Sequence, residues 1–241
     1  MPEITEAHPC DEAMADRLRE IAAAHARLRA QAAGIDEAAA REPIALPGWT
    51  RGHVLFHLGD LARAFARQAE YALAGETIEV YDGGRPTRDR RIEENHARPV
   101  AWLREQLEDG LSALESAWAK LSAADWELPC AYRNGPLAGT QLAWWRETEL
   151  HSVDLEAGYR TEQWSAALAE HVVTFLQPRL AAGPALVLRA TDSGESWRVG
   201  EGEAVEVRAT AVELAGWISG RPAAVLPTAD AAALPEPGAW P

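Results

Sequence analysis

Apolar residues recur at intervals of three and four through roughly the first 160 positions, and alternation appears only beyond about residue 185. Leu18, Ile21 and Leu28 predict a first helix from about Asp11 to Ala33, with Gly34 as its stop. The breaker-rich stretch EPIALPGWT leads to Thr50, a candidate cap for a second helix. That helix places Val54, Leu58, Leu61, Phe65 and Ala72 on its apolar side and ends before Gly75. After the loop GETIEVYDGGRPTRD, a helical pattern begins near Thr87 and is interrupted by Pro99. Leu103, Leu107, Leu111, Leu114, Trp118 and Leu121 then carry the strongest amphipathic signal in the chain. An Asn-Gly turn in PCAYRNGPLAG precedes a helix that Thr140 is expected to cap and Gly158 to terminate.

Four long amphipathic segments joined by loops predict an antiparallel four-helix bundle over residues 1–162. Residues 163–241 read differently. Ser165 to Leu180 is helical, ALVLRAT, SWRVG and AVEVRA are strand-like, and Thr210 with Glu213 forms a capping box ahead of AVELAGWISG. The proline-rich ending LPEPGAWP suits no regular element. The expected class is therefore α+β: a helical bundle followed by a small α+β domain.

With 241 residues and 47% hydrophobic content, the chain can bury a core without covalent staples. A formal charge of −14 argues against nucleic acid and against anionic membrane surfaces as partners. No apolar run approaches the ~18 residues of a membrane span, and the acidic start MPEITEAHPCDEAMADRLRE does not look like a signal peptide. A cytoplasmic location is expected. Cys10 and Cys130 are the two cysteines, not in CxxC spacing, and are expected to be ordinary reduced thiols. Chemistry that needs a reactive thiol would have to borrow one.

The stretch WWRETELHSVDLEAGY sets Glu147 and His151 four positions apart, on one helix face. His57 interrupts the apolar stripe of the second helix, three after Val54 and four before Leu61. Two imidazoles and a carboxylate are a catalytic zinc set that leaves a coordination position for water or substrate, and nitrogen and oxygen donors also suit nickel, manganese or iron. Spacing alone leaves the alternatives standing: Glu147 and His151 as a solvated surface pair, His57 as a hydrogen-bonded core histidine. It does not choose between His53 and His57, which share a face. His25, four after Ile21, reads as structural.

LPGWTRGHVLFHL followed by WWRETELHSVDLEAGY resembles the mycothiol-dependent maleylpyruvate isomerase family, part of the DinB-like superfamily of metal-binding bundles. The likeness extends over nearly the whole chain, including GWISGR and the proline-rich ending. It implies that His57, Glu147 and His151 hold a divalent metal, with zinc the expected ion, while His53 supports and Glu149 faces elsewhere. It further implies that Arg88, four before Ile92, and Arg221 serve catalysis and cofactor binding. Each can fork onto a carboxylate of a dicarboxylate substrate or of an acidic thiol, and the second domain is expected to close over the metal. The implied reaction converts maleylpyruvate to fumarylpyruvate. Reversible thiolate addition makes the cis double bond temporarily single, with mycothiol as the thiol and a metal favouring its ionised form. An S-transferase using a small thiol on another electrophile would draw on the same site, and a non-catalytic metal- or ligand-binding bundle is the alternative from another class.

Overall fold

In a computed structural model of the chain, residues 9–229 and 234–240 are described. They divide into two compact units between Ala157 and Gly158.

The first unit is built on four long helices, α1 (Pro9–Gly34), α2 (Arg51–Leu73), α4 (Val100–Trp118) and α5 (Ala138–Asp154), with a shorter α3 (Gly84–Asn95) between α2 and α4. Contacts close a ring in which α1 touches α4 and α5, and α2 touches the same two helices. The expected bundle is present, but its neighbours are not all antiparallel. Arg17 bonds Gln141, Arg27 bonds Glu149 and Gln31 bonds the Ser152 carbonyl, so α1 and α5 run in the same direction. His25 bonds Glu115 while Arg104 bonds the Ala32 carbonyl, so α1 and α4 are antiparallel. Arg51 reaching the Leu155 carbonyl and His57 reaching Glu147 make α2 and α5 antiparallel too. The long α2–α4 connection that carries α3 allows this order: it runs back along α2, with Asp82 on Arg67, Arg91 on Asp60 and His96 on His53, so α4 starts beside the start of α2, which a tight turn cannot achieve.

Two helices depart from a simple apolar stripe. Nearly all of α2 is buried, and α5 buries Thr140, Gln141, Arg146, Thr148, Glu149, His151, Ser152 and Asp154 among its apolar residues. Backbone contact is what covers α2. A Cβ on Gly59 would stand 2.5 Å from the Gln106 carbonyl oxygen, and one on Gly110 would run into Gly59 itself. These glycines let α2 and α4 touch main chain to main chain, and the resulting close seam excludes water from both.

Some helix ends match their local sequence signals and others do not. Thr50 does cap α2, but His53 completes the capping box: the Thr50 N–H donates to His53 Nδ1 at 3.0 Å. Thr140 is no cap; α5 begins at Ala138, and the Thr140 hydroxyl donates to the Leu137 carbonyl at 2.6 Å. The same helix stops at Asp154, where Glu156 rather than Gly158 first takes positive φ, 51°. Leu121 lies beyond the end of α4.

The second unit holds α6 (Ala166–Leu176), α7 (Ala211–Ser219) and a four-stranded sheet. Its strands are β1 (Leu186–Ala190), β2 (Ser196–Val199), β3 (Val205–Ala209) and β4 (Thr228–Ala229), in spatial order β2-β1-β3-β4. β1 pairs antiparallel with β2 and parallel with β3, and the two-residue β4 adds an antiparallel edge that the sequence pattern is too short to reveal. Thr210 caps α7 as expected, its side chain accepting from the Glu213 N–H. Among the described residues no helix is long and apolar enough to cross a membrane.

Candidate metal centre

Helix geometry assembles the centre inside the first unit. On α5, Glu147 and His151 are one turn apart and project together, and Asp154 follows on the same side. The helix cannot rotate away from this orientation. Trp144 is fully buried and its indole N–H donates to His25 Nε2 at 2.7 Å; Trp145 donates to Glu20 at 3.0 Å; Glu149 accepts from Arg27 at 2.6 Å. From the facing α2 comes His57, 1% exposed.

His57 Nε2 lies 3.1 Å and His151 Nε2 3.4 Å from the same Glu147 oxygen, Oε2. All three donor atoms lie within 4.8 Å of one another. Ligands about 2.0–2.1 Å from a tetrahedral zinc stand roughly 3.3 Å apart, so these separations match the edges of such a site. The two rings meet at 82° with centroids 5.0 Å apart, which lets their in-plane lone pairs converge. Asp154 accepts from His151 Nδ1 at 2.8 Å, the carboxylate support typical of a metal-bound imidazole. Trp49 stacks on His151 at 5.9 Å and meets His57 edge-on at 5.6 Å.

Electrostatics fit the same donor set. Burial pushes His57 down to about 4, against its bond to Glu147 and helped by the nearby charges of His151 and Arg88. Burial also works against the charged forms of His151 and Glu147. Bonds to Asp154 and Glu147 nevertheless lift His151, and bonds from His151 and His57 hold the Glu147 carboxyl well below its ordinary range. Two carboxyl side chains, Glu147 and Asp154, thus bracket the His151 ring. A divalent cation with two neutral imidazoles would bring the group to charge balance.

A second cluster, His53, Glu93 and His96, also gathers donor atoms within 4.8 Å. Its geometry is poorer. The His53 and His96 rings stack at 3.6 Å and 17°, so their lone pairs run nearly parallel, and an ion about 2.1 Å from both nitrogens would sit well out of both ring planes. His53 Nδ1 is committed to Thr50. Of the two histidines on this helix face, His57 therefore has the better ligand geometry.

The other sequence candidates fall as follows. Arg88 on α3 is close enough to act electrostatically on His57, and bonds Asp89 at 3.0 Å. Arg221 belongs to the second unit, where it is buried, donates to the Ser219 carbonyl at 2.8 Å and stacks over Trp240 at 5.0 Å. His25 is a core residue, bonded to Glu115 and Trp144. Cys130 is free and buried, and burial raises its thiol despite a backbone bond from Tyr132. The side chain of Cys10 lies outside the described residues. Sequence reasoning missed Asp154, although it stands three after His151, and Trp49, which was treated only as part of a motif.

A four-helix bundle with a buried pair of histidines and a glutamate in ligand geometry, followed by a small α+β unit, defines a narrow class. Residues 21–156 match the mycothiol maleylpyruvate isomerase N-terminal domain, and the chain belongs to that isomerase family. Two crystal structures share the fold, both of the mycothiol-dependent maleylpyruvate isomerase and one of them a histidine-to-alanine mutant. Each aligns with a TM-score of 0.85 over 94% of this chain and 97% of its own, at 24% identity and, for the mutant, 23%. Comparison with curated proteins gave no match.

Proposed function

We propose that this protein is a metal-dependent, thiol-dependent cis–trans isomerase that converts maleylpyruvate to fumarylpyruvate with mycothiol as its thiol. The observation that carries the reading is the convergence of His57 Nε2 and His151 Nε2 on one oxygen of Glu147. Three protein ligands leave a zinc ion one open position. Bound there, the metal would supply a site that favours the ionised form of a sulfur ligand, and reversible addition of the thiol would make the substrate's double bond temporarily single.

The chain's own residues have separable tasks. His57, Glu147 and His151 would hold the ion, and Asp154 would fix the His151 ring and raise its basicity as a ligand. Trp49 closes over the imidazoles and keeps water from one side of the site. Arg88 would bind a carboxylate of substrate or thiol, the task the family resemblance also gives to Arg221. Buried Cys130, its thiol raised by burial, is a poor nucleophile, in keeping with an external thiol.

The test is turnover of maleylpyruvate by the purified, metal-analysed protein with mycothiol, glutathione and no thiol. The reading expects isomerisation with mycothiol and little without a thiol. Turnover indifferent to added thiol contradicts it, and thioether formation without isomerisation would make the protein an S-transferase. Arg88→Lys and Arg221→Lys should each weaken catalysis with metal content unchanged.

A further inference from the structure

The stripe of α2 that presents His57 continues through Asp60, Ala64 and Arg67, which line a pocket together with Tyr81, Thr87 and Arg91. The charged groups there have partners. Asp60 accepts from Arg91 at 2.5 and 3.2 Å, Arg63 donates to the Gln106 carbonyl at 2.8 Å, and Arg67 donates to Asp82 at 3.0 Å. Tyr81 is the exception. Its hydroxyl oxygen is buried and has no hydrogen-bond partner among the described residues.

An unsatisfied buried hydroxyl costs about 1–3 kcal/mol, so the fold gains nothing from this one. Its setting is also fixed. The segment before α3 is pinned where Gln68 donates to the Ile78 carbonyl at 3.1 Å and where the Gly83 N–H donates to the Glu79 carboxylate at 2.8 Å. The pocket starts one turn along α2 from His57, at Asp60, and the charges of Glu147 and Arg88 act on both Tyr81 and His57. Burial first, then the Asp60 carboxylate, lift the phenol well above its ordinary value, which keeps it a neutral O–H donor.

We propose that the Tyr81 hydroxyl donates a hydrogen bond to the bound electrophile, at the carbonyl oxygen that gains negative charge while its double bond is single. This rests on the isomerase reading above. The proton stays on the phenol throughout; the hydroxyl stabilises developing charge and transfers nothing. A preorganised donor aimed at developing charge in a water-poor site typically contributes about 10²–10³ in kcat. The partnerless hydroxyl then has a purpose, its partner arriving with the substrate.

The test compares wild type with Tyr81→Phe, both loaded with zinc. The variant should keep metal stoichiometry and have an unchanged or higher Tm, because it loses a hydroxyl that bonds nothing in the fold. Its kcat should drop about 100-fold with a smaller change in KM. Oxalate, a planar dianion resembling the enolate of a 2-oxo acid, supplies a readout independent of turnover; calorimetry should show about tenfold weaker binding to the variant. Equal oxalate affinity in the two metal-replete proteins, or no oxalate binding to wild type, overturns the proposal. A wild type that binds oxalate in a Tyr81-dependent way but fails to isomerise maleylpyruvate would instead overturn the substrate assignment and leave the donor role standing.

Discussion

Removing Asp154 probes the metal centre without touching a ligand. Its carboxylate is 4% exposed and accepts from His151 Nδ1 at 2.8 Å. Loss of such a support typically costs 10–100-fold in metal affinity, or about 1.4–2.7 kcal/mol. Asp154→Asn retains an acceptor oxygen and loses the charge, so about tenfold is expected. Asp154→Ala loses both and should approach 100-fold. Affinity is read by competition with a chromophoric chelator at fixed pH. Glu149→Gln is the control, since Glu149 is equally buried on the same helix but pairs with Arg27; it should cost stability and leave zinc affinity alone. If folded Asp154→Ala binds zinc within about twofold of wild type, the inference that His151 is a supported ligand is wrong.

Further outcomes follow from the packing and the buried imidazoles. Gly59→Ala would put a Cβ 2.5 Å from the Gln106 carbonyl oxygen, where only backbone could give way. Overpacking of this kind typically costs about 1–3 kcal/mol, so thermal unfolding should begin several degrees lower; an unchanged Tm would refute the main-chain contact between α2 and α4. Burial depresses His25 below its ordinary value of 6.5, against the bond to Glu115, so the unfolded chain takes up that proton more readily. The stability His25 contributes is then full above about pH 6.5 and falls as pH drops through its folded value, and His25→Asn should flatten that slope in urea titrations. A parallel slope in the variant would exclude the assignment. The double variant Cys10→Ser/Cys130→Ser should keep thiol-dependent turnover, and its loss in a folded protein would argue for an internal nucleophile.

Much of the fold could be read in the sequence because α1 and α4 expose one face and bury the other, and periodicity reports that contrast. Where burial is all round, as on α2 and α5, period says less. Glu149, His151 and Asp154 are charged or titratable yet buried, and nothing local in WWRETELHSVD separates a surface pair from interior ligands. The parallel run of α1 and α5 depends on a long connection that returns along α2 before α4 begins, which no local pattern encodes. His53 and His57 share a helical face; what separates them is a capping bond to Thr50 and a stacked neighbour, His96, far along the chain. Tyr81 stands in the loop before α3, and the pocket it lines with Asp60, Thr87 and Arg91 exists only once that loop and α3 have packed on α2.

We propose His57, Glu147 and His151 as the metal centre. Its most direct test is metal stoichiometry, by mass spectrometry of protein purified without chelator, for wild type, His57→Ala and His53→Ala. About one zinc or similar divalent ion per chain is expected in wild type, most of it retained in His53→Ala, and almost none in His57→Ala. Full metal in His57→Ala with loss in His53→Ala would contradict it and move the centre to His53, Glu93 and His96.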